Sequence, residues 1–186
     1  MLEIELKFQL PDPVAVRQRI LEWGGRLLAV RSEVDHYFNA PDRDFRTTDE
    51  VFRLRCVDEA AVLTYKGPKR GGAVKTRPEI EVPLAVGAAH VADADRLVQC
   101  LGFRPTAVVK KQREVYALAR DGFELHLCFD DLDGVGRFLE VEIVAEEARL
   151  AEAERTVLAV AAELGLTTPE PRAYLRMVLE ARGIEA

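Results

Sequence analysis

Charged side chains recur at alternate positions in strand-like segments along most of this chain, with apolar side chains between them. Residues 2–9 start the pattern: Leu2, Ile4, Leu6 and Phe8 are apolar, while Glu3, Glu5 and Lys7 are charged. Successive side chains of a strand point to opposite faces, so such a segment has one apolar face and one charged face. In 51–57, Arg53 and Arg55 share a face, and Lys66 ends the segment 61–66 with Thr64 on its side. RPEIEV sets Arg77, Glu79 and Glu81 opposite Ile80 and Val82, and KKQREVY sets Lys111 and Arg113 on one face. Asp130 closes 123–130, and Glu140 and Glu142 alternate with Leu139, Val141 and Ile143.

An ordinary half-exposed sheet also alternates apolar and polar residues. Solvent-facing positions, however, normally mix Thr, Ser, Gln and Lys, whereas here paired charges return in strand after strand. The spacing predicts strands over 2–9, 26–38, 51–57, 61–66, 76–84, 107–118, 123–130 and 138–144. Helices are expected from Pro13 to Trp23 (Asp12 as N-cap, Gly24-Gly25 as stop), over 92–101 before Gly102, and over 146–164 and 170–182. The polar stretch Asn39 to Glu50 reads as a connection. There is no strict alternation of strand and helix, which favours a mainly antiparallel α+β architecture. Helices covering the apolar faces would turn the charged face inward or leave it as an open floor.

A charged interior is tolerable only if acids and bases compensate each other or bind counterions. Carboxylates at i, i+2 suit hard divalent cations, which take oxygen ligands. Clustered Lys and Arg suit phosphate oxygens, Arg bidentately. Both kinds in one cavity describe a site for a metal-bound polyphosphate.

Composition sets the outer bounds. The 186 residues carry 26 Lys+Arg against 32 Asp+Glu, a formal charge of −6, with 48% hydrophobic residues. That supports one folded domain over 1–186 and disfavours a nucleic-acid partner, whose phosphates call for a basic surface. The sum does not exclude a polyanion held inside. No run approaches the roughly 20 apolar residues of a membrane span, and residues 1–10 lack the pattern of a secretory signal, so a cytoplasmic protein without a membrane partner is expected. Cys56, Cys100 and Cys128 form no C-x-x-C and read as reduced thiols.

Other features are weaker. The segment GPKRGG lacks the P-loop pattern and reads as a hairpin connection, with a lid using Lys69 and Arg70 as the alternative. His126 shares parity with Glu124 and Asp130, which allows a place on the wall of the charged interior, but reads first as a hydrogen-bonded structural histidine; His36, His90 and His126 lack zinc-ligand spacing. Cys128 reads as core or tunnel wall, Tyr37 and Phe38 as core, and the acidic helix 146–155 as a solvated face.

Glu3-Ile4-Glu5-Leu6-Lys7 looks like the E-x-E-x-K signature of the CYTH superfamily, the triphosphate tunnel metalloenzymes. Further matches follow in family order: DHYFNAPDRDF (35–45), RLR (53–55), TYKGP (64–68), RPEIEV (77–82), KKQREVY (110–116), FDDLDGVGRFLEVEI (129–143) and PRAYLRMVL (171–179). The resemblance implies an eight-stranded antiparallel β-barrel with a central tunnel, flanked by helices. It implies Mg²⁺ or Mn²⁺ held mainly by Glu3, Glu5, Glu140 and Glu142, with Asp130 joining them or holding a metal-bound water, and Glu79 and Glu81 as additional acids. Lys7, Arg53, Arg55, Lys66, Lys111 and Arg113 would grip the triphosphate and serve its chemistry, with Arg77 an addition. Ala173 departs from the family, where a serine often precedes the tyrosine (Tyr174 here).

HYF, KQREVY and EPRAY most resemble the class IV adenylyl cyclase branch, which implies conversion of ATP to cyclic AMP and pyrophosphate. The motifs address phosphates rather than the rest of the substrate, so an inorganic or thiamine triphosphatase is the alternative, and a noncatalytic polyphosphate-binding module is the alternative of another class. A homodimer is compatible with the resemblance.

Overall fold

The computed structural model describes residues 2–10, 12–69 and 75–184. Eight antiparallel strands close on themselves in the order β1-β5-β4-β3-β2-β6-β7-β8. They are β1 (Leu2–Gln9), β2 (Arg26–Asn39), β3 (Val51–Val57), β4 (Ala60–Lys66), β5 (Lys75–Pro83), β6 (Arg104–Arg120), β7 (Phe123–Leu132) and β8 (Gly136–Ala145). Closure pairs the first strand with the last, Lys7 opposite Glu140 and Glu5 opposite Glu142. The charged faces therefore turn inward, as a tunnel, and the apolar faces turn outward.

Helices pack on this barrel. They are α1 (Val14–Glu22), α2 (Phe45–Thr48), α3 (Ala88–Cys100), α4 (Leu150–Glu163) and α5 (Tyr174–Ala181). Ile4, Leu125, Leu127, Leu139 and Val141 lose all contact with water beneath α4, which contributes Ala153, Val157 and Val160. Each such large side chain stabilises the fold by about 1.5–3 kcal/mol. A second cluster under α3 joins Val98 to Phe38, Leu54 and Ala61. A third seats α5 not on an outer face but on the inward-facing Val109, Leu132 and Phe138, through Tyr174, Met177 and Val178, so this helix borders the tunnel.

Several boundaries differ from the spacing, for local reasons. The stretch 39–50 contains α2, too short to show periodicity; Asp44 starts it by accepting from the Arg46 backbone N–H. Asp12 does accept from the Val14 N–H at 3.1 Å, but Pro13 already has helical angles and is the N-cap. Helix α3 begins at Ala88 rather than 92, after Gly87 turns the chain with φ 126°. In place of a helix from 170, Glu170 donates its N–H to the Lys7 carbonyl at 2.7 Å and Pro169 bridges to Phe8, so α5 starts only at Tyr174. Similarly, a 3₁₀ turn at Glu147–Arg149 precedes α4. β4 and β5 pair across the glycine-rich connection, as a hairpin requires. Lys69 caps its start by binding Asp49 at 2.7 Å, while Arg70 lies outside the described residues.

Candidate functional site: a charged tunnel

The barrel encloses a cavity of about 910 Å³ lined by all of the expected acids and bases except Asp130. Strand parity puts them there: a side chain two residues further along faces the same side, so each outward apolar residue has charged inward neighbours. The tunnel divides into three charge groups.

The first is a gathering of carboxylates. Oxygens of Glu3, Glu5 and Glu142 lie within 4.8 Å of one another. Glu5 and Glu142 stand directly opposite in the β1–β8 register, where like charges repel. Burial, and then the neighbouring Glu140, Glu3 and Glu5, push the Glu142 carboxyl well above its ordinary range, with Arg113 opposing them. Such repulsion is relieved by a cation. The oxygen donors, their spacing and the protonation pressure on Glu142 all fit a hard divalent ion such as Mg²⁺ or Mn²⁺. Two ammonium groups stand on this cluster: Lys66 Nζ at 2.5 Å from Glu3 and Lys75 Nζ at 3.0 Å from Glu5.

The second group centres on Arg113. Its guanidinium forks onto Asp130 and also contacts Glu140, while its other terminal nitrogen lies 3.7 Å from Glu142. Asp130 is 2% exposed, and its Oδ2 also accepts the Tyr174 hydroxyl at 2.7 Å. Both its oxygens are thus engaged, and it stands as an anchor for Arg113 outside the carboxylate gathering. Burial disfavours the charge of Glu140, but Arg113, Lys7 and Lys111 outweigh it and hold the carboxyl below its ordinary range. Lys7 Nζ lies 3.9 Å from Glu140 and 4.1 Å from the centre of the Tyr174 ring. Burial draws Lys7 down to about 8 against the pull of Glu140 and Glu5.

The third group was not among the site residues expected from the sequence. Glu33 and Asp35 of β2 face inward and are almost fully buried. Asp35 takes Nε and Nη2 of Arg55 at 2.7 and 2.8 Å, with Arg53 at 3.4 Å. Glu33 takes Lys111 at 2.8 Å and Arg55 at 3.2 Å. Three cations are thereby held in the middle of the tunnel by acids placed behind them. The signal was the inward series Arg31, Glu33, Asp35 and Tyr37, which obeys the same parity rule within DHYFNAPDRDF and the residues before it.

The remaining candidates are more peripheral. Glu79 sits 3.1 Å from Lys66, and Glu81 accepts from Thr64 at 3.3 Å, so both acids engage neighbours on β4. Arg77 is buried in the wall opposite Glu3. Cys128 is a tunnel-wall residue, 3.9 Å from Glu142, and burial pushes its thiol up, which suppresses a nucleophilic thiolate. Of the two readings of His126, the place on the charged wall is the one the structure shows: it lines the tunnel, its side chain is 43% exposed, and its Nε2 is 3.6 Å from Glu124. Tyr37 belongs both to the core and to the tunnel wall. The three cysteines are free thiols. No helix among the described residues is long and apolar enough to cross a membrane.

A closed antiparallel barrel whose interior pairs acids with bases defines a class of proteins, and comparison with known sequences identifies it. Residues 1–174 match the CYTH domain, and the chain belongs to that family. A Methanocaldococcus jannaschii protein provisionally named an adenylate cyclase (MJ0240) is 36% identical over 145 residues, covering 76% of this chain and 77% of its own. Among solved structures, PH1819 of Pyrococcus horikoshii superposes with a TM-score of 0.81 at 32% identity, covering 96% of this chain and 98% of its own. HpAC1 of Hippeastrum, described as an adenylyl cyclase candidate with a dominant triphosphatase activity, shares the fold at 17% identity (TM-score 0.61, covering 99% of this chain and 97% of its own).

Proposed function

We propose that the chain is a divalent-metal-dependent enzyme that binds a triphosphate in its tunnel, most like a class IV adenylyl cyclase that converts ATP to cyclic AMP and pyrophosphate. The observation that carries this reading is the gathering of Glu3, Glu5 and Glu142 within 4.8 Å, beside Lys66 and Arg113 and within the same cavity as Arg53 and Lys111. Glu3, Glu5 and Glu142 hold the Mg²⁺ or Mn²⁺, with Glu140 beside them. When bound, the metal supplies charge neutralisation and polarisation of the phosphate oxygens. Lys7, Arg53, Arg55, Lys66, Lys111 and Arg113 bind the three phosphates, and Arg77 extends the basic wall. Glu33, Asp35 and Asp130 keep the cations aimed at substrate rather than at one another. Pre-aimed donors stabilise charge that develops in phosphoryl transfer without reorganising.

In the cyclase reaction the ribose 3′-hydroxyl gives up its proton to water, its oxygen forms a bond to the α-phosphorus, the bond from that phosphorus to the α,β-bridging oxygen breaks, and that oxygen leaves on pyrophosphate. The name of the M. jannaschii relative supports this assignment. Water lined up on the terminal phosphorus gives a triphosphatase instead, and the activity described for HpAC1 favours that second reading. Phosphorus NMR on ATP, thiamine triphosphate and tripolyphosphate, each with Mg²⁺ and with Mn²⁺, separates them. The expected outcome is cyclic AMP and pyrophosphate from ATP. Orthophosphate release identifies a hydrolase, and saturable binding without any product identifies a noncatalytic polyphosphate-binding module.

A further inference from the structure

Lys66 and Lys75 occupy unusual positions for tunnel cations. Each places its ammonium on a different carboxylate of the same gathering: Lys66 on Glu3 at 2.5 Å, Lys75 on Glu5 at 3.0 Å. Lys7, by contrast, reaches Glu140 only at 3.9 Å and rests on the Tyr174 ring. The three carboxylates crowd one another, and among the described residues the two ammoniums are the cations paired with Glu3 and Glu5.

From this we infer that Lys66 and Lys75 are placeholders in the metal site. They neutralise Glu3 and Glu5 until a divalent cation takes those oxygens, and then turn to the phosphate oxygens of the substrate. This rests on the reading of Glu3, Glu5 and Glu142 as the metal site and adds Lys75, which lies between the TYKGP and RPEIEV motifs, to the phosphate ligands.

The physical argument is one of exclusion followed by need. A divalent cation with oxygen ligands at about 2.0–2.6 Å leaves little room for an ammonium on the same oxygens, and its charge repels one nearby. Lysine is suited to exchange, being a point charge on a flexible four-carbon stem rather than a fixed fork. Once displaced, an ammonium lining this cavity lacks its counter-charge, and a charge largely shielded from water, as Lys75 is at 16% exposure, is costly to leave unpaired. Lys66 keeps Glu79 at 3.1 Å. Lys75 gives up the only ion pair described for it, so phosphate is the anion that satisfies it. Metal and polyphosphate therefore favour each other's binding, and the coupling is reciprocal. The site takes a metal–polyphosphate complex in preference to either component.

Substituting Lys75 tests this with opposite signs in two binding measurements. Binding of Mn²⁺ alone is followed by loss of the free-ion EPR signal, and binding of tripolyphosphate at saturating Mg²⁺ by calorimetry. In Lys75→Met, Mn²⁺ alone binds about tenfold tighter, because the competing ammonium is gone, and tripolyphosphate binds about tenfold weaker. Lys75→Gln gives the same two signs if Met disturbs the fold, which far-UV circular dichroism checks. Lys110→Met, which removes an exposed cation on the outer side of β6, leaves Mn²⁺ affinity within about threefold. Unchanged or weaker Mn²⁺ binding in both Lys75 variants overturns the exchange, as does an equal gain in Lys110→Met or an unaltered tripolyphosphate affinity. Wild-type protein that binds neither Mn²⁺ nor tripolyphosphate overturns the metal-site reading itself, and the exchange with it.

Discussion

The Tyr174 hydroxyl donates to Asp130 Oδ2 at 2.7 Å, and the same carboxylate accepts from both Nε and Nη2 of Arg113. A residue of the last helix thus fixes the orientation of a guanidinium at the centre of the barrel. Its ring simultaneously carries the Lys7 ammonium at 4.1 Å and the Lys111 ammonium at 5.5 Å. Through one side chain, α5 organises three of the cations assigned to phosphate.

Tyr174→Phe removes the hydroxyl and retains the ring. Asp130 loses one of its donors, which is expected to lower stability by about 1–2 kcal/mol and to reduce kcat/KM roughly tenfold through a misaimed Arg113. Tyr174→Leu, which also removes the cation–π contacts of Lys7 and Lys111, is expected to reduce kcat/KM further. Thermal melts and steady-state kinetics of the two variants measure both effects. Equal activity in wild type and Tyr174→Phe would remove the hydroxyl from the account.

Glu142→Gln separates function from stability. Glu142 is pushed well above its ordinary range by burial and by Glu140, Glu3 and Glu5, so its ionised form is a burden on the metal-free fold. The neutral amide relieves that repulsion. Without metal, the melting temperature of Glu142→Gln is expected to equal or exceed that of wild type, while Mn²⁺ affinity falls at least tenfold, roughly the effect of losing one charged ligand. A large loss of stability would show that Glu142 serves mainly as a partner of Arg113.

Glu33 titrates in the acid range. Burial disfavours its charge, but Lys111, Arg113 and Arg55 outweigh that and hold it at about 2, below the ordinary 4.5. Because the folded value lies below the unfolded one, its contribution is fully present above about pH 4.5 and is lost as pH falls towards 2. The gap corresponds to roughly 3 kcal/mol. In urea unfolding, Glu33→Gln is expected to be several kcal/mol less stable than wild type at pH 7, since it leaves Lys111 and Arg55 short of a counter-charge. That difference should shrink at pH 3. A difference constant over pH 3–7 would contradict the assignment.

Much of this was legible from alternation alone. The strands carrying Glu3, Glu5 and Lys7, Arg53 and Arg55, and Glu140 and Glu142 could be oriented by parity, because each has an apolar opposite face, whereas Lys111 and Arg113 alternate with Lys110, Gln112 and Glu114 and were placed by the resemblance. Closure of those strands as a barrel came from the resemblance, and the register now supports it. Glu33 and Asp35 were passed over because the outward residues of β2 are themselves mixed: exposed Val30 and Ser32, then Val34 and His36. Parity also says which face a charge occupies but not what it meets. Nothing local distinguishes Asp130, bound to Arg113 and Tyr174 from elements far apart in the chain, from Glu142, which joins Glu3 and Glu5 only when the last strand closes on the first. Lys75 was invisible for another reason, since it leaves a glycine-rich hairpin where no alternation precedes it.

The central claim is that Glu3, Glu5 and Glu142 form the metal site of a triphosphate-processing tunnel. It is tested most directly by phosphorus NMR of ATP turnover with Mg²⁺ in wild type, Glu3→Gln and Glu142→Gln, each first shown to be folded. The account expects turnover in wild type and at least a hundredfold loss in both variants, a transition-state effect of about 3 kcal/mol. Full activity in both folded variants would contradict it.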